Sequence, residues 1–398
     1  MARIRIEEPA RARARGLAPF ALGFRPFFLL AGWGAVGLMA LWLWRWETGA
    51  LAGGYYGAIG WHAHEMLFGY TVAVIAGFLL TAARNWTGQP TATGGALAAL
   101  AVLWLAGRLA PLVPGLPGPA VAVADLAFLP ALGAALAGPL WRGRSRVNRV
   151  FVVFIAAMTA ADLLVHLDGL GLTTGTAAAG RQLMVDVVLL LILVVGGRVM
   201  PFFTERAVAG AAPRSRPLVD RTGFALMGAL LLAELMRPGG VAAGGLALAL
   251  ALIQAVRVAG WHHPGVWRIP ILWVLYTGYA WLVVGFALRG LAAFGLLPAT
   301  LALHALTAGG IGVLTLGMMA RVALGHTGRE MRAPRLVGVG FGLLNLGALF
   351  RVAAPLAWPG AYGVWVLTAG GLWIAAFLAF AMVYTPVLVR PRVDGAPG

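Results

Sequence analysis

The chain lacks cysteine altogether and has no lysine, so all 30 of its basic residues are arginine. Without thiols there is no structural disulfide, no thiolate-held zinc or iron–sulfur cluster, and no covalent haem attachment through a C-x-x-C-H segment. Any metal is left to histidine, methionine, carboxylate or backbone oxygen. Charge of either sign is also scarce. Only 11% of the residues are charged while 61% are hydrophobic, and the mean hydropathy is +0.87, far from the roughly 25% charge of a soluble domain. This is the composition of an integral membrane protein.

A membrane span needs about 20 apolar residues. Runs of that length fall at roughly 24–46, 62–83, 94–112, 118–140, 149–167, 182–203, 221–237, 241–260, 269–290, 297–321, 335–354 and 361–388. The pattern predicts an all-α polytopic protein of about twelve transmembrane helices: a basic tail over 1–23, one membrane domain over 24–388 and a short tail over 389–398. With both termini placed in the cytoplasm, all but six of the 30 arginines fall on the cytoplasmic side, as the positive-inside rule requires. The six exceptions are Arg45, Arg108, Arg181, Arg237, Arg289 and Arg351. A net charge of +17 spread over short connections in this way is a topology signal and not a groove for nucleic acid.

An offset of 240 residues lays the second span on the tenth. His64 then falls on His304, Gly69 on Gly309, Gly77 on Gly317 and Thr87 on Thr327. The sixth span joins through Arg198 on Arg321 and Thr204 on Thr327, and the first, fifth and ninth begin alike at Arg25, Arg149 and Arg268. The expectation is three pseudo-repeated four-helix units, with the second, sixth and tenth helices equivalent.

Seven histidines punctuate this apolar background. His62 and His64 open the second helix in GWHAHEM, His166 closes the fifth, and His304 enters the tenth, so all four belong near the outer face. His326 lies 22 residues beyond His304, about 33 Å along a helix, and belongs to the inner face with Arg198, Arg321 and Arg329. An outer metal cluster can be built from His62, His64 and His304, with Glu65, Met66 and His166 as additions. On an α-helix His62 and His64 point about 200° apart while His62 and Glu65 share a face, which sends His64 towards one centre and His62 with Glu65 towards another. An interfacial histidine can also be a simple anchor or cap, and His262 and His263 read as loop residues. His304, with no charge nearby in sequence, is costly in lipid and marks a functional site. Asp162 and Asp186 belong to a proton path or pair with arginine.

The motifs FRPFFLLAG (24–32), WHAHEMLFGY (61–70), LLVHLDGLG (163–171), GGRVMPFF (196–203), ALHALTAGGIG (302–312) and RVALGHTGR (321–329) resemble the NnrS family over nearly the whole chain. That resemblance implies a bacterial inner-membrane protein carrying haem and copper that acts in the response to nitric oxide, often beside denitrification. Where such proteins often have a histidine, in a stretch like WILHLGYAW, Tyr276 stands here. The helix count and repeats are also similar to the catalytic subunit of haem–copper oxidases, whose six-coordinate haem takes ligands from its second and tenth helices.

On this reading haem b is held by His64, His304 or both, copper by His62 with one or more of Glu65, His166 and Met66, and His326 is a second metal or haem ligand or a proton carrier. Glu65 and Arg198 are the candidate catalytic side chains. Nitric oxide would be bound and reduced with electrons from an unidentified donor. A twelve-span secondary transporter and a non-catalytic haem or nitric oxide sensor, or cofactor-delivery protein, are the competing readings.

Overall fold

The computed structural model describes residues 16–50 and 54–396; most of the tail expected over 1–23 lies outside the described residues. The described residues are helical with no strand among them. In chain order the membrane helices are α1 (Phe24–Thr48), α2 (Ala58–Thr87), α3 (Gly94–Leu112), α4 (Gly118–Arg142), α5 (Arg146–Gly169), α6 (Thr176–Ala207), α7 (Pro217–Met236), α8 (Val241–Trp261), α9 (Pro270–Ala293), α10 (Ala299–His326), α11 (Arg335–Ala357) and α12 (Pro359–Val389). Eleven of them are long and apolar enough to cross a bilayer by composition alone. The exception is α7, whose 20 residues include Asp220, Arg221 and Glu234. Two of those charges are matched inside the bundle: Asp220 receives Arg257 at 2.6 Å and Glu234 receives Arg289 at 3.0 Å, so α7 completes the expected set at a tolerable electrostatic cost.

Each helix packs on the next, and α12 returns to pack along α1. Inside that ring α2, α6 and α10 touch one another. The apolar window of α2 is 89% buried and that of α10 is 72% buried, against 39–56% for the other candidate spans. The second, sixth and tenth helices, expected to be equivalent, thus form the centre of the ring.

Local structure carries the same repeat. In α2 the α-helix gives way to a π-helix at Glu65–Thr71, directly after His64; in α10 it does so at Ala305–Gly312, directly after His304. Such wide turns inside α-helices often accompany functional sites. Gly69 and Gly309 occupy equivalent positions in them, and each lets a bulky neighbour approach: a Cβ on Gly69 would meet Arg108 at 2.8 Å, and one on Gly309 would meet the Trp281 ring at 2.6 Å. At the opposite end Thr87, Thr204 and Thr327 each return a hydroxyl hydrogen bond to the carbonyl four residues back, at 2.6, 2.9 and 2.6 Å.

Candidate functional site

The wide turn of α2 changes which residues meet. Glu65 does not share a face with His62; its carboxylate turns to His64 Nδ1 at 3.4 Å and to Arg108 at 3.3 Å. His64 and His62, on opposite faces of the helix before that turn, enter two different sites, His64 the first, between α2, α3, α4 and α5, and His62 the second, between α1, α2, α10, α11 and α12.

In the first site His64 Nε2 lies 2.9 Å from Asp125 Oδ2 and 3.2 Å from Asp162 Oδ1, while His166 Nε2 lies 3.1 and 3.6 Å from the same two oxygens. One donor atom from each of these four residues falls within 4.8 Å of the others, an arrangement that could hold a metal ion. Burial is nearly complete: His64 and His166 are 0% exposed, Asp162 2% and Asp125 4%.

The surroundings fix the rings. Tyr56 stacks on one face of His64 at 4.2 Å and Phe68 lies against the ring at 4.8 Å. Tyr56 donates its hydroxyl hydrogen to Asp125 Oδ2 at 3.0 Å. The Tyr55 hydroxyl meets His166 Nδ1 at 3.0 Å. Burial, with Asp125 and Asp162 nearby, pushes the Tyr55 phenol up to about 12, so at neutral pH the group carries its proton. Arg108 closes the site with an ion pair to Asp125.

The charge balance of this site is uneven. Glu65, Asp125 and Asp162 face a single guanidinium, Arg108. With both imidazoles neutral, a net charge of about −2 remains in a region removed from water, and such a charge requires a counter-charge. A divalent cation at the four donor atoms would supply it, as would protons taken up by the cluster.

The second site has the opposite character. His62 and His304 line one cavity of about 50 Å3 with Arg351, and no carboxylate lines it. His304 donates from Nδ1 to the Thr300 carbonyl at 2.7 Å, which fixes the tautomer and leaves the Nε2 lone pair free for a ligand. His62 stacks on Trp42 at 4.4 Å, and its Nδ1 is buried without a partner. Arg351 gives one nitrogen to Tyr362 at 2.8 Å and keeps another buried and unpartnered. Ala308, Gly347, Ala348, Ala369 and Gly370 keep much of the remaining wall short.

The expected outer cluster is therefore divided: His64 joins His166, His62 joins His304, and His64 does not meet His304. Met66 belongs to neither group. His326 sits at the far end of α10, its ring 5.7 Å from Phe24 and its carbonyl accepting from Arg392 at 2.9 Å. Arg198 also lies towards that end, donating to Asn148 at 2.9 Å beside the rings of Trp86 and Phe151, apart from both histidine pairs. Tyr276 ties helices together through Thr204 at 2.7 Å and the Trp261 carbonyl at 2.8 Å. His262 and His263 accept local hydrogen bonds from Trp267 and Gly265 in the α8–α9 connection. Of the two aspartates left open, Asp162 joins the histidines and Asp186 pairs with Arg289 at 2.5 Å.

Asp125, Arg108, Tyr55, Tyr56 and Arg351 were not singled out by the sequence. One signal for them was present: Arg108 and Arg351 are two of the six arginines that the expected topology leaves off the cytoplasmic side. They sit near the ends of α3 and α11, 243 residues apart, close to the 240-residue offset of the histidines they accompany.

Helices of this length around a buried two-histidine, two-aspartate cluster define a multi-pass membrane protein with a site able to take a metal. A family model described as NnrS protein matches residues 18–392, nearly the whole chain. The chain belongs to the NnrS family, and that membership gives it a role in the nitric oxide response. No curated protein matches it.

Proposed function

We propose that the protein is a haem- and copper-containing membrane protein that binds nitric oxide and reduces it, set in the bacterial cytoplasmic membrane with both termini inside. The observation that carries this reading is the presence of two chemically distinct histidine pairs towards the same end of the bundle. His64 and His166 converge with Asp125 and Asp162, a donor set that fits a single metal ion; imidazole suits copper, and the aspartates also admit harder divalent ions. His62 and His304 offer imidazoles from α2 and α10 with no carboxylate in the cavity, and these two would hold a b-type haem, which supplies a redox couple. The unpartnered nitrogen of Arg351 matches a propionate. A cavity of about 50 Å3 is small beside the roughly 300–1,000 Å3 of cofactor pockets, so a macrocycle would need the side chains lining it, Trp42 on the face of His62 among them, to move.

When bound, the metals supply coordination of nitric oxide and a redox couple. The net reaction joins two nitric oxide molecules with two electrons and two protons to give nitrous oxide and water. The chain's contribution is to position and to insulate. Glu65 and Arg108 orient His64 and Asp125, the Thr300 carbonyl aims His304, and Tyr56 and Phe68 keep water from the His64 ring. The protonated Tyr55 hydroxyl, in the connection before α2, stands at the outer edge of the site, where a proton can pass to His166. The electrons come from a donor that is not identified.

The test is purification after haem-replete expression, with iron and copper quantified by mass spectrometry and a reduced-minus-oxidised spectrum recorded for wild type and single variants. Loss of the haem bands in His62→Ala and His304→Ala, with copper kept, together with loss of copper in His64→Ala and His166→Ala, with haem kept, is expected. Wild-type protein free of both metals overturns the reading. Metal-loaded protein that consumes no nitric oxide when supplied with electrons leaves a sensor or delivery protein in place of a reductase.

A further inference from the structure

Where α2, α6 and α10 meet, the packing leaves a cavity of about 80 Å3. It is bounded on the α1 side by Phe28 and on the α9 side by Leu275 and Tyr279, with Val74, Val188 and Leu314 among the central-helix residues that line it. None of the lining residues is charged. The three hydroxyl-bearing residues in the wall are already engaged. Thr71 donates to the Met66 carbonyl at 2.8 Å, Thr315 donates to the Ile311 carbonyl at 2.6 Å while its oxygen meets Tyr70, and Tyr279 donates to Gln254 at 2.5 Å.

A cavity of this kind is a poor site for water. An ordered water needs two to four polar partners, and apolar cavities in proteins stay dry while admitting xenon or small apolar molecules. The volume of about 80 Å3 is several times the roughly 10–15 Å3 that a single small molecule such as water needs, so a diatomic molecule fits, and the uncharged lining disfavours a charged ligand.

Its position is as informative as its lining. Thr71 is the last residue of the wide turn that starts after His64, and Thr315 lies shortly beyond the wide turn that starts after His304. The cavity is therefore about 10 Å along α2 from His64 and about 16 Å along α10 from His304, walled by α2, which carries one histidine of each pair, and by α10.

We propose that this central cavity is a binding chamber for nitric oxide, an uncharged diatomic that partitions from the bilayer into dry apolar space, and that it serves both histidine sites. The proposal rests on nitric oxide being the ligand of the protein. The chamber raises the local concentration of an apolar gas beside α2 and α10 and excludes water and ions that would compete for the metals.

Crystals of the purified protein under xenon pressure, measured by anomalous diffraction, test the chamber independently of any metal. Stopped-flow association of nitric oxide with metal-loaded protein tests its use. Wild type is expected to show a xenon peak between α2, α6 and α10. Val188→Phe is expected to remove that peak and slow nitric oxide association on the order of 10-fold, with iron and copper content unchanged. Gly196→Ala is a gentler filling: its new methyl would lie 3.4 Å from the Tyr279 ring, a contact the site can absorb, so a smaller change in the same direction is expected even where Val188→Phe fails to fold. Wild-type crystals without xenon at this position overturn the chamber, and so do filled variants that bind nitric oxide at the wild-type rate. A xenon-binding protein that proves unable to bind nitric oxide overturns the functional reading and leaves the cavity standing.

Discussion

The two histidine pairs each take one imidazole from α2 and the other from a different helix, α5 for His166 and α10 for His304, yet they solve opposite electrostatic problems. Around His64 and His166 three carboxylates exceed one arginine, the side chains are closed to solvent, and the adjoining void is only about 10 Å3. Around His62 and His304 no carboxylate lines the cavity, an arginine keeps an unused nitrogen, and about 50 Å3 is open. An excess of buried negative charge selects a small cation that touches every ligand. Neutral imidazoles beside a guanidinium would suit a group that brings its own acid, as the proposed haem does with its propionates. His64 and His304 thus take matching places before the wide turns of two central helices, and the residues of the surrounding helices divide their chemistry.

Asp125→Ala should break the comparison most severely. Asp125 is the partner of Arg108 and approaches both imidazoles; its loss leaves a buried guanidinium that still has Glu65 but no longer the closer acid. Removing one member of a buried pair costs about 3–5 kcal/mol, so a large fall in the thermal midpoint in detergent, with loss of the bound metal ion, is expected. The matching change at the other site, Arg351→Gln, breaks no ion pair and should lower the midpoint far less. Similar losses from the two substitutions would show that the sites do not differ in charge as described.

Pairing is the next distinction to test. Because His64 and His62 serve separate sites, the effects of His64→Ala and His62→Ala on metal content should add in the double variant, as distant sites do, whereas His64→Ala with His166→Ala should remove no more metal than either alone. If His62→Ala abolishes metal at the His64 site, the division of the outer histidines is wrong.

Much of the scaffold was legible in the sequence, because hydropathy and arginine placement act through bilayer thickness and charge transfer, which leave their mark residue by residue. The span boundaries differ from those expected by a few residues, and the repeat joining His64 to His304 reappears as matched wide turns. Pairing was less legible. The α-helical rule set His62 with Glu65, but one wide turn rotates every following side chain, and no periodicity announces it. Asp125 is a lone carboxylate in VAVADLAFL, and its meaning depends on α3 and α5 delivering Arg108 and His166 to the same place. Charges that the expected topology leaves off the cytoplasmic side were the usable clue, since Arg108, Arg289 and Arg351 each mark a polar group inside the bundle.

Arg351→Ala sharpens the second site without disturbing the first. If its free nitrogen neutralises an acidic group of the cofactor, the variant should bind haem about 10-fold more weakly, the equivalent of roughly 1.4 kcal/mol, while Arg351→Lys retains part of the affinity as a point charge. Copper content should not change in either. Titration of purified apoprotein with haem, followed optically, reads the difference.

The smallest expected effect is an alkaline one confined to the first site. Tyr55 has its phenol pushed up to about 12, chiefly by burial and then by Asp125 and Asp162, from an ordinary value near 10. A raised pKa means that the folded state favours the protonated form. The stabilisation is complete below about pH 10 and is lost as pH rises towards about 12. Over that interval the hydroxyl contact with His166 Nδ1 gives way to a phenolate facing two aspartates, and the metal bound by His64 and His166 should loosen while haem at His62 and His304 keeps its spectrum. Tyr55→Phe removes this group's part of the transition at the modest cost of one hydrogen bond, about 1 kcal/mol, leaving Tyr56 as the remaining phenol against the cluster, its own pKa raised by burial and Asp125. A metal-release profile from pH 9 to 12 that is the same in wild type and Tyr55→Phe would remove Tyr55 from the site.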